Sequence, residues 1–148
     1  MFKSIVVGTD GSQTATSAVK QAVELASSIK AKIELVSAYE PVSDQRLREE
    51  RTEVPDDVSW MVNPREDVDA TLREAAEMAK EAGVEVETYA RQGDPADAIL
   101  DVAEEQNADL IIVGNKGMTG AKRFLLGSVP NKISHHAPCS VLIIRTAP

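Results

Sequence analysis

Apolar residues recur along this chain in two rhythms that take turns. Lys3-Ser4-Ile5-Val6-Val7-Gly8-Thr9 is a short run rich in β-branched residues and reads as a buried strand. Ala15, Ala18, Val19, Ala22, Val23, Ala26 and Ile29 then follow at three- and four-residue steps, the inner face of a helix that Ser12 is placed to cap. Lys32 to Tyr39 is a second strand, ended by Glu40-Pro41. Val68, Leu72, Ala75, Ala76, Ala79 and Ala82 mark a second long helix with Gly83 as its stop. Val84 to Tyr89 alternates as a third strand, more polar and so nearer a sheet edge. Asp94 caps the next helix, Pro95 opens it, Asp97 favours its dipole, and Ala96, Ile99, Leu100 and Ala103 face inward. Asp109-Leu110-Ile111-Ile112-Val113 is a fourth, buried strand. A short helix with Pro130 at its first position turns Val129, Ile133 and Ala137 inward, Pro138 breaks it, and Ser140 to Arg145 closes the chain as a fifth strand.

Alternating strands and helices predict an α/β fold, with one open parallel sheet covered on both faces. A single domain over residues 1–148 is the simplest division. The rhythm fails from Pro41 to Arg65, an irregular insertion punctuated by Pro41, Pro55 and Pro64, whose Trp60 reads as an anchor to the body, the alternative being a contact for a partner.

Composition narrows the class. A hydrophobic content of 43% with only 3% aromatics predicts a core of Ala, Val, Leu and Ile. Cys139 is the single cysteine, so no internal disulfide forms, as suits a reducing compartment. The first strand begins almost at once, leaving no room for a leader, and the apolar runs are too short to span a bilayer, so the expectation is a cytoplasmic protein with no membrane partner. A net charge of −8 argues against nucleic-acid binding, which depends on neutralising phosphates.

Charge is unevenly placed. Residues 110–148 hold five Lys/Arg and no acid, whereas the preceding residues carry all 24 acids against the other 11 bases. The basic segment contains Gly114-Asn115-Lys116-Gly117 and runs through Lys122, Arg123 and Gly127 to Ser128. A glycine-rich loop leaving a strand and entering a helix lets backbone N–H groups approach an anion, and the helix adds unpaired N–H groups and the positive end of its dipole. Phosphate suits that geometry. No Walker A sequence and no G-x-G-x-x-G after the first strand occurs, so neither a P-loop nor a dinucleotide fold is indicated.

The spacing Gly114-x2-Gly117-x9-Gly127-Ser128 resembles the nucleotide-binding signature of the universal stress proteins, and the likeness extends over nearly the whole chain. The resemblance implies a Rossmann-like sheet of order 3-2-1-4-5 and a homodimer formed through the last strand. It also implies a site for ATP or another adenine nucleotide, AMP and cyclic AMP included, with Mg2+ accompanying ATP. Its residues would be Gly8, Thr9 and Asp10 at the end of the first strand, Ala38 at the end of the second, and Val113, Gly114, Asn115, Lys116, Gly117, Arg123, Gly127, Ser128 and Val129 around the loop. Ala38 stands where relatives commonly have a valine whose backbone holds the adenine, and Asp10 where an Asp contacts the nucleotide. Two departures matter: the loop reads Gly-Asn-Lys-Gly, and Pro130 replaces a residue that is often Ser or Thr in ATP binders.

The function expected is therefore a ligand-gated regulatory module with an unidentified protein partner, the alternatives being a slow ATPase, a cyclic-AMP-binding protein or an interaction protein without a nucleotide. No base for hydrolysis stands out beyond Asp10. Gly8-Thr9-Asp10-Gly11-Ser12 is only loosely similar to the Ser-Gly-Gly loop of ATP-cleaving α-hydrolases, because it lacks the glycine pair. His135 and His136 are adjacent and would point about 100° apart on a helix, which does not suit a shared metal.

Overall fold

The computed structural model describes residues 2–39, 65–115 and 128–145. Among the described residues nine elements alternate in chain order: β1 (Ser4–Gly8), α1 (Gln13–Ile29), β2 (Lys32–Tyr39), α2 (Arg65–Glu81), β3 (Val86–Gln92), α3 (Pro95–Glu105), β4 (Leu110–Gly114), α4 (Ser128–His136) and β5 (Ser140–Ile144). The strands form one sheet of order β3-β2-β1-β4-β5, parallel throughout.

The central strands are largely apolar on both faces because helices cover both, the buried Glu34 and Ser37 of β2 being exceptions. Ile5, Val7, Ile33, Leu35, Leu110 and Ile112 pack with α1 and α2 through Val19, Ala22, Val23, Leu72 and Ala79. Val6, Val36, Ile111 and Val113 pack on the other face with α3 and α4 through Ile99, Val102, Ala103, Val129 and Ile133. The many alanines let helices lie close to the sheet, which is why a core so poor in aromatics still buries Ile5, Ile33, Ile99 and Ile133 to 1% exposure or less.

Helices α1, α2 and α3 end by one device. In each, a residue with positive φ is followed by one whose N–H reaches back five residues: Lys30 with Ala31 to the Ala26 carbonyl, Gly83 with Val84 to Ala79, Asn107 with Ala108 to Ala103, each at 2.9 Å. This moves β3 from where its alternation predicts it. The Val84 N–H belongs to the end of α2, so the strand starts at Val86 and continues through Ala90-Arg91-Gln92, in register with Ser37-Ala38-Tyr39. The same turn leaves Ala82 exposed rather than inward. In α3, Ala98 and Val102 are buried as well as the expected Ala96, Ile99 and Ala103, while Leu100 is half-buried.

Candidate functional site

β1 lies where the strand order reverses: its α1 crossover leads to β2 on one side, while β4 pairs on the other. In open parallel sheets ligands bind beyond the carboxyl ends of the strands at such a point. The ends of β1 and β4 lie side by side at this point, and α4, which leads into the parallel strand β5, starts at the same end of the sheet.

The β1–α1 junction is built from its own polar groups. Thr9 is 2% exposed, its N–H donates to the Val36 carbonyl (3.0 Å), and its hydroxyl accepts from the Gly11 N–H (3.2 Å). Asp10 Oδ1 accepts from the Ser12 N–H (2.9 Å), a tight turn of the kind Asp favours. Ser12 is extended and its hydroxyl accepts from the Ala15 N–H (3.2 Å), the N-cap its sequence position implies. Gly11 has φ +81°, and a Cβ there would sit 2.8 Å from Thr71 Oγ1. Gly8 is needed for packing: a Cβ would run into Ile99 Cδ1 of α3. Its missing side chain makes room for a helix, and Asp10, half-buried, already commits one oxygen to the turn.

Across the crevice, Gly114 pairs with Ile144 and the Asn115 N–H donates to the Ile144 carbonyl (2.9 Å), so this junction is anchored to β5. Val113 and Val129 are buried, at 3% and 6% exposure, which leaves only their backbones for contact with a ligand. Ala38, half-buried, pairs with Arg91 near the end of β2. Ser128 is exposed and opens α4. Pro130 is the third residue of that helix rather than the first, and it is buried. A proline fits there because N–H groups of the first turn have no partner within the helix. Lys116, Gly117, Arg123 and Gly127, like Lys122 and Trp60, lie outside the described residues.

Lys132, one turn beyond Ser128 in the basic segment, is paired with acids of another helix. It bridges helices, with Nζ 2.8 Å from Asp97 and 3.4 Å from Asp94, and the hydrogen bond to Asp97 raises its pKa. Asp94 also caps α3, accepting from the Asp97 N–H (3.0 Å). Two further groups escape the sequence reading. Asp109 receives the N–H groups of Lys3 and Ser4 (2.9–3.1 Å) and closes the far end of the sheet. Glu34, 1% exposed, meets Lys32 (3.2 Å) and the Tyr89 hydroxyl (2.7 Å). An acid inside Ile33-Glu34-Leu35-Val36 was the visible signal.

Among the described residues no group of three His, Cys, Asp or Glu could hold a metal. His135 and His136 are exposed at the end of α4, and Cys139 is half-buried, its thiol pKa raised by burial and then by Asp109. A groove of about 410 Å³ along Arg73, Glu74, Glu77, Met78 and Glu81 lies on the last turns of α2, at the end of the sheet away from the crevice. No helix among the described residues is long and apolar enough to cross a membrane.

Comparison with known proteins agrees with this architecture. The universal stress protein family model matches residues 1–145. A universal stress protein of Mycobacterium tuberculosis is 38% identical over 146 residues, covering 98% of this chain and 97% of its own. The crystal structure of a universal stress protein in complex with cyclic AMP is 33% identical, covers 99% and 98% of the two chains, and superposes with a TM-score of 0.72. A family protein of Arabidopsis thaliana with AMP bound, 20% identical with a TM-score of 0.70 over 98% of this chain and 92% of its own, speaks for the fold alone. With the signature spacing, the strand order and a match along nearly its whole length, the chain belongs to the universal stress protein family.

Proposed function

We propose that this protein binds an adenine nucleotide in the crevice between β1 and β4 and acts as a ligand-gated regulatory module. The observation that carries the reading is the 33% identity, across 99% of the chain, to a universal stress protein solved in complex with cyclic AMP. The base lies toward Ala38 at the end of β2, the sugar toward Thr9-Asp10 and Asn115, and the phosphate at the glycine loop and Ser128. Gly117 and Gly127 allow close backbone approach, and Lys116 and Arg123 supply charge.

Pro130 sets the preference among nucleotides. A Ser or Thr there would offer a hydroxyl and an N–H to a phosphate chain, and proline offers neither. Losing one charge-assisted hydrogen bond costs about 1.5–3 kcal/mol. The loss falls on ligands long enough to reach α4, so cyclic AMP and AMP gain relative to ATP and its Mg2+. Binding acts as a switch rather than as turnover, because Asp10 is held in its turn by the Ser12 N–H. We further propose a cytoplasmic homodimer paired through β5, whose Leu142 is 41% exposed, and a regulatory protein partner that reads the bound state.

Calorimetric titration with ATP, AMP and cyclic AMP tests the assignment. Gly117→Val and Gly127→Val should each abolish binding while the circular dichroism stays unchanged. Wild-type affinity in both variants would remove the loop from the site.

A further inference from the structure

Lys132 lies four residues after Ser128, on the same side of α4, and helical side chains lean toward the N-terminus of their helix. Its stem therefore leans toward the first turn, where the unpaired N–H groups are. The ammonium is nevertheless bound to two carboxylates, Asp97 at 2.8 Å and Asp94 at 3.4 Å. Both belong to the start of α3, which follows β3 at the same end of the sheet as Gly114, Asn115 and the start of α4. The three side chains are 43–58% exposed, and ion pairs this open to solvent are weak and exchange readily.

We propose that the Asp94–Asp97–Lys132 cluster is a charge-selectivity element of the nucleotide site, disfavouring polyphosphates relative to singly charged ligands. The inference rests on the nucleotide reading above. A triphosphate reaching α4 would draw Lys132 away from its partners and leave two carboxylates facing the chain. Whether Lys132 moves or stays, the local charge is that of one cation and two anions. The resulting repulsion grows with the charge of the ligand: it is small for cyclic AMP, with one negative charge, and largest for ATP. The cluster thereby acts in the same direction as Pro130, but through long-range charge rather than a missing donor.

The test is a titration of wild type, Asp94→Asn/Asp97→Asn and Lys132→Met with ATP and with cyclic AMP, at low and high salt. Asn retains the capping of α3, so the double variant keeps its fold. It should bind ATP about three- to tenfold more tightly while cyclic AMP changes by less than about twofold, and high salt should erase the gain. Lys132→Met should weaken ATP more than cyclic AMP. A cluster that only braces α4 against α3 gives a different pattern: both variants lose affinity for both ligands in parallel, and that result overturns the proposal. Wild type that binds neither nucleotide overturns the nucleotide reading and this inference together, whereas binding with the parallel pattern overturns this inference alone.

Discussion

The two wings of the sheet on either side of β1 end very differently. On one side β3 carries a charged network: Lys32 lies 3.1–3.2 Å from both Glu34 and Glu87, and Tyr89 shares its proton between the same two carboxylates at 2.7 and 3.0 Å. Arg91 grips Glu105 with two hydrogen bonds of 2.9 Å, and its guanidinium lies 5.6 Å from the centre of the Tyr89 ring. On the other side β5 offers Val141, Leu142 and Ile143, with Leu142 the one exposed large hydrophobic among the described residues. Charges along an edge strand resist pairing with another chain, and an apolar edge invites it. The wing that ends in the apolar edge is also the one whose sequence holds no acid and the whole glycine signature. The start of the glycine segment and the apolar edge thus meet on β4 and β5, where the Asn115 N–H donates directly to the Ile144 carbonyl. If the proposed nucleotide binds and the proposed β5 dimer forms, this adjacency gives the ligand a short route to the pairing surface.

The largest expected effect comes from breaking the seam that both wings share. Gly8→Val would drive a side chain into Ile99, which at 1% exposure has nowhere to go. We expect a loss of about 3 kcal/mol in urea denaturation, partly restored by Ile99→Ala in the same chain. A variant as stable as wild type would show that α3 yields there easily.

The next effect separates the edges. Leu142→Asp should weaken self-association at least about tenfold by equilibrium sedimentation, because the new carboxylate must be desolvated to pair. Glu87→Leu on β3 should leave self-association through β5 at its wild-type strength. Equal loss of association in both variants would contradict pairing through β5.

A smaller effect sharpens the charged edge. Burial, then the bonds to Glu34 and Glu87, raise the Tyr89 pKa well above the usual tyrosine value, so the folded state holds this proton more tightly than the unfolded chain. The stability it contributes is fully present below about pH 10, the ordinary tyrosine pKa, and is lost as pH rises further. Urea midpoints measured from pH 8 to 11 should fall more steeply in wild type than in Tyr89→Phe. Parallel slopes would mean that the phenol is not tied to the carboxylates in solution.

Much of this architecture could be read before any coordinates, and the exceptions have physical reasons. Periodicity located α1 and α3 because their inner faces are continuous and their caps, Ser12 and Asp94, are local. It misplaced β3 because a helix end that reuses the Val84 N–H leaves no mark on alternation. Strand order came with the family resemblance, since no local pattern says which strands are neighbours. At the crevice, Thr9, Asp10 and Ser128 were legible as strand-end and helix-start residues. The role of Lys132 was not, because its partners lie 35 and 38 positions earlier and meet it only through the packing of α3 on α4. Gly8 was legible as a glycine at a strand end but not as the contact point of Ile99.

The central claim is that an adenine nucleotide occupies the crevice between β1 and β4. Titrating isotope-labelled protein with cyclic AMP, and following every backbone amide by NMR, tests it most directly. The account predicts saturable shifts concentrated at Thr9, Asp10, Ala38, Asn115, Ser128 and Val129, with Glu87, Gln106 and the groove residues Glu77 and Glu81 unmoved. Saturable shifts centred on that acidic groove, or none at all with cyclic AMP, AMP and ATP in turn, would contradict it.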